Sequence, residues 1–121
     1  MKAAFGDGPD LEIYHDGSNS YIDDIGTGTL KYRSGTQTFT NADSSKTMAI
    51  FNAANSVDLF YNNSKKLETT HTGVSIGGGL TISGNIIPSA DNTYELGNAS
   101  TNWRDIYVTS GSIVIGNKTK V

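Results

Sequence analysis

Oxygen ligands, imidazoles and paired carboxylates are the first chemistry to look for in this chain. Asp7, Asp10, Asp16, Asp23 and Asp24 make the N-terminal quarter acidic, and oxygen-rich turns can hold Ca²⁺. Their spacing matches neither the ligand pattern of an EF-hand loop nor a Gly-rich calcium-binding nonapeptide, so they read as solvated turn carboxylates. His15 and His71 stand far apart with no flanking ligand pattern. Glu12, Asp58, Glu68, Glu95 and Asp105 could supply glycosidase carboxylates, but spacing singles out no pair. No nucleophile elbow surrounds any Ser. Gly77-Gly78-Gly79 lacks the Lys-Ser/Thr and the helix of a phosphate-binding loop. Catalytic residues, metal ligands and cofactors are therefore all expected to be none. The aromatic residues offer a different chemistry: Tyr14, Tyr21, Tyr32, Tyr61, Tyr94, Trp103 and Tyr107 could present ring faces to sugars. Most are expected to pack between strands or subunits, which leaves Tyr21 and Tyr32 as the candidate glycan-contact rings.

These side chains sit on a repetitive framework. Leu11-Glu12-Ile13-Tyr14-His15-Asp16-Gly17-Ser18 is echoed by Val57-Asp58-Leu59-Phe60-Tyr61-Asn62-Asn63-Ser64 at an offset of 46. Each copy runs apolar, acidic, apolar, aromatic into a polar pair that tolerates the positive φ of a type I′ turn, so each reads as a hairpin. Asp58 stands where Glu12 does, while His15 becomes Tyr61 and Gly17 becomes Asn63. What persists is alternation and turn chemistry, with no reactive side chain retained.

Strand signals dominate elsewhere. Short alternating runs over 11–14, 20–25, 29–33, 36–40, 47–52, 56–61 and 65–69 alternate with Gly, Asn, Asp and Ser clusters, and no window keeps helical periodicity for three turns. The expected fold class is all-β, built from short-stranded hairpins and Gly-cornered strands. From Gly73 the texture changes to Gly-flanked β-branched runs at 73–77, 79–84 and 111–116. A strand this short has one apolar edge, which must be completed by the next rung or by another subunit, as in a β-helix or a multi-chain fibre. Val74, Ile76, Leu80, Ile82, Ile113 and Ile115 are accordingly expected in a subunit core. Ser100 or Thr101 is expected to cap a short helical turn near Trp103, ahead of a strand at 106–109. Tyr94, Leu96, Trp103, Ile106 and Tyr107 would then form a small Trp-centred unit, with Trp103 and Ile106 joining the subunit core. Three regions follow: a hairpin-repeat β region at 1–72, a Gly-rich shaft and connector at 73–90, and the Tyr/Trp motif with terminal strands at 91–121.

Composition sets the outer limits. The chain has 121 residues, 36% of them hydrophobic, with 14 Gly and 2 Pro. That is lean for a self-sufficient monomer core, and oligomerisation would supply the missing burial. A net charge of −3 with no basic stripe argues against nucleic acid as a partner. The absence of Cys removes disulfides, thiolate metal sites and cysteine nucleophiles. No apolar run is long enough for a transmembrane helix, so membrane insertion is not expected, and the first residues lack the plan of a signal peptide.

Two stretches resemble phage tail-fibre proteins, especially those of marine phages and cyanophages. One is Asp10-Leu11-Glu12-Ile13-Tyr14-His15-Asp16-Gly17-Ser18-Asn19-Ser20-Tyr21-Ile22, recurring loosely over 57–70 and followed by Thr72-Gly73-Val74. The other is Asn92-Thr93-Tyr94-Glu95-Leu96-Gly97 followed by Trp103-Arg104-Asp105-Ile106-Tyr107, which is similar to a unit in the distal parts of such fibres. The resemblance implies an intertwined homotrimeric β-fibre or β-prism and a virion structural protein. It also implies assembly in the host cytoplasm, an extracellular site of action, contacts with other virion tail proteins, and attachment to a host cell-surface glycan or protein receptor. The virion anchor and self-cleaving chaperone of long fibres are not seen in this sequence, so no autoproteolysis is carried over. The alternative reading is a monomeric carbohydrate-binding β-domain or a fragment of a polysaccharide depolymerase.

Overall fold

The computed structural model describes residues 1–111 and 113. The described chain is all-β with two antiparallel sheets and no helix. It divides into two units, Met1–Leu80 and Thr81–Val121, and every described strand lies in the first.

The first sheet has three strands in the order β1-β2-β3: β1 (Lys2–Phe5), β2 (Leu11–His15) and β3 (Ser20–Asp24). The second has five in sequence order: β4 (Thr36–Thr40), β5 (Thr47–Asn52), β6 (Val57–Tyr61), β7 (Ser64–Thr70) and β8 (Gly73–Ile76). Both are meanders, which short alternating runs separated by turn residues favour. Both expected hairpins form, as β2–β3 and β6–β7.

Their turns differ. Asn62 and Asn63 close β6–β7 as a two-residue turn with φ of 50° and 64°, the left-handed pair a tight I′ turn needs. The β2–β3 connection is two residues longer, since His15 pairs Ser20 across the loop 16–19. Gly17 has φ +107° there. Asp16 Oδ1 accepts the backbone N–H of both Ser18 and Asn19 at 2.8 Å. The loop is thus an Asx-type turn organised by one carboxylate.

Register sorts the side chains into faces, because residues opposite one another in a ladder point the same way. Across all five strands of the second sheet, Phe39, Ala49, Leu59, Leu67 and Ile76 form one row. The next row, on the opposite face, is Thr38, Ile50, Asp58, Glu68 and Ser75. In the first sheet Ala3-Ile13-Ile22 and Lys2-Tyr14-Tyr21 are the corresponding apolar and polar rows. Two register shifts, at Phe39/Thr40 and Leu59/Phe60, lie immediately beyond the apolar row. The Asn63 side chain ties that end together, accepting from Thr47 N at 2.8 Å and donating to Ser45 O at 3.0 Å.

Neither sheet packs against the other: every contact between described strands joins hydrogen-bonded neighbours. No described apolar side chain is buried. Ser56 and Asp58 are the buried described residues, and both are polar. Fixing each backbone residue costs roughly 1–2 kcal/mol, and burial of apolar surface is the main term that offsets it. With its apolar side chains at most partly covered, the described chain alone gains little from that term.

The observed elements depart from the expected ones at several places. Residues 29–33 form no strand, because no neighbouring strand supplies a ladder; the chain instead passes the Tyr32 carbonyl to Gln37 Nε2 at 2.7 Å. Lys2–Phe5, alanine-rich and without a strand signal, becomes β1 because β2 offers it an edge. In the second unit the helical turn at Ser100/Thr101 is replaced by an Asx turn. Asn98 Oδ1 accepts Ser100 N at 2.9 Å and Thr101 N at 2.8 Å, which removes the donors a helix N-terminus would use. No strand forms at 79–84 or 106–109, and most of 111–116 lies outside the described residues.

Candidate interaction surfaces

The apolar row of the five-stranded sheet is the largest apolar surface the register defines. Phe39 and Phe51, diagonal neighbours on that face, meet edge-on with ring centroids 5.6 Å apart, the geometry that the ring quadrupoles favour. Val74 and Ile76 on β8 extend the same face, at 60% and 42% exposed. These two expected subunit-core residues therefore join Phe39, Phe51 and Leu59 on one uncovered surface. Leu80 lies in the first unit beyond β8. Ile82, Trp103, Ile106 and Ile113 lie in the second unit, all exposed; Ile115 lies outside the described residues. The small core expected around Trp103 does not close among the described residues: Tyr94, Leu96, Trp103, Ile106 and Tyr107 are all exposed. Gly97, Asn98, Thr101, Asn102 and Trp103 line an open depression of about 320 Å³. Gly97 has φ +84°, and a Cβ there would stand 3.4 Å from the indole.

The opposite face of the second sheet carries ions. Lys65 Nζ bridges Asp58 Oδ2 and Glu68 Oε1, each at 2.9 Å. The lysine holds the Asp58 carboxyl below the ordinary aspartate value, and the two carboxylates raise Lys65 in return. Asp58 Oδ1 is buried without a hydrogen-bond partner among the described residues.

The polar face of the first sheet is a stack. Tyr14 and Tyr21 lie face to face, 4.9 Å between centroids and 16° from parallel, matching the spacing of adjacent strands. Lys2 Nζ sits 4.2 Å from the centroid of Tyr14 and 2.6 Å from Glu12 Oε2. The Tyr14 hydroxyl donates to Asp23 Oδ2 at 2.8 Å and the Tyr21 hydroxyl to Asp16 Oδ2 at 2.8 Å. The bond to Asp23 favours the neutral phenol, and the Tyr14 pKa is pushed up to about 12. Asp16 is lowered, chiefly by the Asn19 and Ser18 amides and then by Tyr21.

Tyr21, expected as a glycan-contact ring, is thus half-buried against Tyr14, a contact the ungapped repeat alignment could not reveal. Period-two counting along each strand, combined with the correct loop length, would have brought the two rings together. Tyr32 is 62% exposed in the connection between the sheets. Among the described residues no cluster of three or more His, Cys, Asp or Glu side chains could hold a metal ion. No family model, no curated protein and no solved structure matches the chain.

Proposed function

We propose that the chain is a structural and adhesive segment of a phage tail fibre, non-enzymatic, working as a homotrimer in the shaft or receptor-binding part of the virion. One observation supports this reading most: a chain with complete apolar rows on one face of each sheet has no buried apolar side chain of its own among the described residues. A surface that must be covered for the fold to persist needs a partner present wherever the chain is made, and another copy of the chain meets that condition. The apolar row carries no charge, so two copies can bring such faces together without stranding an ion. The twin hairpins and the Tyr94-Glu95-Leu96-Gly97/Trp103-Arg104-Asp105-Ile106-Tyr107 pattern supply the fibre component of the reading. Adhesion would act multivalently, weak contacts on each copy adding through effective concentration.

Light scattering coupled to size-exclusion chromatography tests the proposal. A mass of three chains, with a melting temperature that rises with protein concentration, is the expected result. A folded monomer with a concentration-independent melt would overturn it and favour the monomeric carbohydrate-binding domain.

A further inference from the structure

The free edge of β3 repeats the chemistry that already holds β1. On β2, Glu12 and Tyr14, two residues apart on one face, bind Lys2: the ammonium lies 4.2 Å from the ring centroid and 2.6 Å from the carboxylate. On β3, Tyr21 and Asp23 stand in the same two rows, Lys2-Tyr14-Tyr21 and Ala4-Glu12-Asp23. One face of Tyr21 is against Tyr14, and no described strand lies beyond β3 in its sheet. Asp23 uses Oδ2 for the Tyr14 hydroxyl, and among the described residues Oδ1 takes no hydrogen bond. The edge thus presents an aromatic face and an acceptor at the spacing that β2 uses to seat a lysine. The strand that carries this lysine, β1, is itself the other unpaired edge of the same sheet.

We propose that β3 of one copy pairs with β1 of the next, so that the partner's Lys2 caps Tyr21 and reaches Asp23. The proposal rests on the homo-oligomeric reading above and specifies how the copies join. β1 and β3 run in the same direction, so the new ladder is parallel, and it removes both open edges of the sheet. The contact is head to tail, and such contacts either close into a ring or run on as a filament. Three copies closing a ring would place the Ala3-Ile13-Ile22 row inside and the Lys-Tyr-Tyr stack outside. Ile13 and Ile22, 45% and 51% exposed in the single chain, would then be covered.

Because the chain has no Cys, a pair of introduced cysteines reads this contact directly. Ala3 and Ile22 share a row but are separated by β2, roughly 9–10 Å apart within one chain. That exceeds the limit of about 7 Å for a disulfide, whereas across the proposed contact they are neighbours. Oxidised Ala3→Cys/Ile22→Cys is expected to run as a covalent ladder ending at three chains, with the native mass unchanged by light scattering. Ala3→Cys/Ile13→Cys, opposite one another across β1 and β2, should close within the chain and report that the sheet has formed. An oligomer of native mass that yields only monomer bands from the first pair overturns the edge contact and leaves the oligomeric reading standing. A monomeric wild-type chain overturns both. Hydrogen exchange of the wild-type protein gives a reading free of substitutions: the β3 amides that point away from β2 should exchange as slowly as those of β2. Rapid exchange there refutes the pairing.

Discussion

The β2–β3 and β6–β7 hairpins descend from the same sequence pattern and solve the same problem with different parts. Each sends an acid to the polar face and an apolar residue to the other, Glu12 and Ile13 in one, Asp58 and Leu59 in the other. The acid's lysine partner comes from the preceding strand in the first hairpin, as Lys2, and from the return strand in the second, as Lys65. The first is closed by a carboxylate-held loop, the second by two left-handed asparagines, one of which also clasps the neighbouring turn. Side-chain alternation is therefore what the two copies share; the device that fixes each turn is free to change.

The widest test of that parallel is whether both apolar rows are covered. Leu59→Asp and Ile13→Asp should each cost at least about 3 kcal/mol, since a covered apolar side chain is lost and a carboxylate must be desolvated. Thr38→Asp, in the polar row of the second sheet, should change stability by about 0.5 kcal/mol or less. Urea denaturation separates the outcomes. If Leu59→Asp is as mild as Thr38→Asp, the apolar row is not an interface.

The turns should part company next. Asn63→Ala puts a residue that tolerates the left-handed region less well than asparagine at φ 64° and removes the bonds to Thr47 and Ser45, a combined loss of about 2–3 kcal/mol. Asn63→Gly relieves the backbone and loses only the bonds, so it should cost about 1 kcal/mol less. Equal midpoints for the two variants would assign the whole effect to the clasp.

Acid sharpens the comparison on the smallest scale. Asp16 and Asp58 both have folded pKa values below the ordinary 3.8. Near that pH the unfolded chain binds more protons than the folded one. The stability each contributes is complete above 3.8 and is lost as the pH falls through the depressed folded value. Lys65→Gln removes the main cause of the Asp58 depression and leaves Asp16, held by loop amides, untouched. Melting temperature plotted against pH should keep part of its acid slope in this variant. An unchanged slope would mean that the Asp58–Lys65 pair contributes nothing.

Much of this architecture was readable from alternation. The runs at 11–14, 20–25, 36–40, 47–52, 56–61 and 65–69 became strands because each found an antiparallel neighbour through a short turn. Residues 29–33 carry a similar signal and found none, which is why propensity misled there. β1 was missed for the converse reason, since its alanines say little and the edge of β2 decides. The Tyr14–Tyr21 stack was hidden by loop length. The offset of 46 between Leu11 and Val57 leads an ungapped reading past the turn, where the rows actually relate Ile22 to Leu67, an offset of 45. Around Trp103 the aromatic and aliphatic residues suggested a closed unit, but clustering in sequence does not supply the layer that would close it.

That change of offset gives the irregularity at Leu59/Phe60 a meaning in terms of insertion and deletion. Lys66 is the extra residue: Phe60 pairs Lys65 and Leu59 pairs Leu67. Residues two apart on a regular strand share a face, yet Lys65 reaches the ions on the polar side while Leu67 stays in the apolar row. The additional residue acts as a frame shift within the strand. Without it the ladder still closes, each following side chain keeps its face, and the gene could shed that codon at little structural cost. A codon removed after Leu67 has the opposite effect, because the rest of β7 then arrives out of phase and turns its other face to the row.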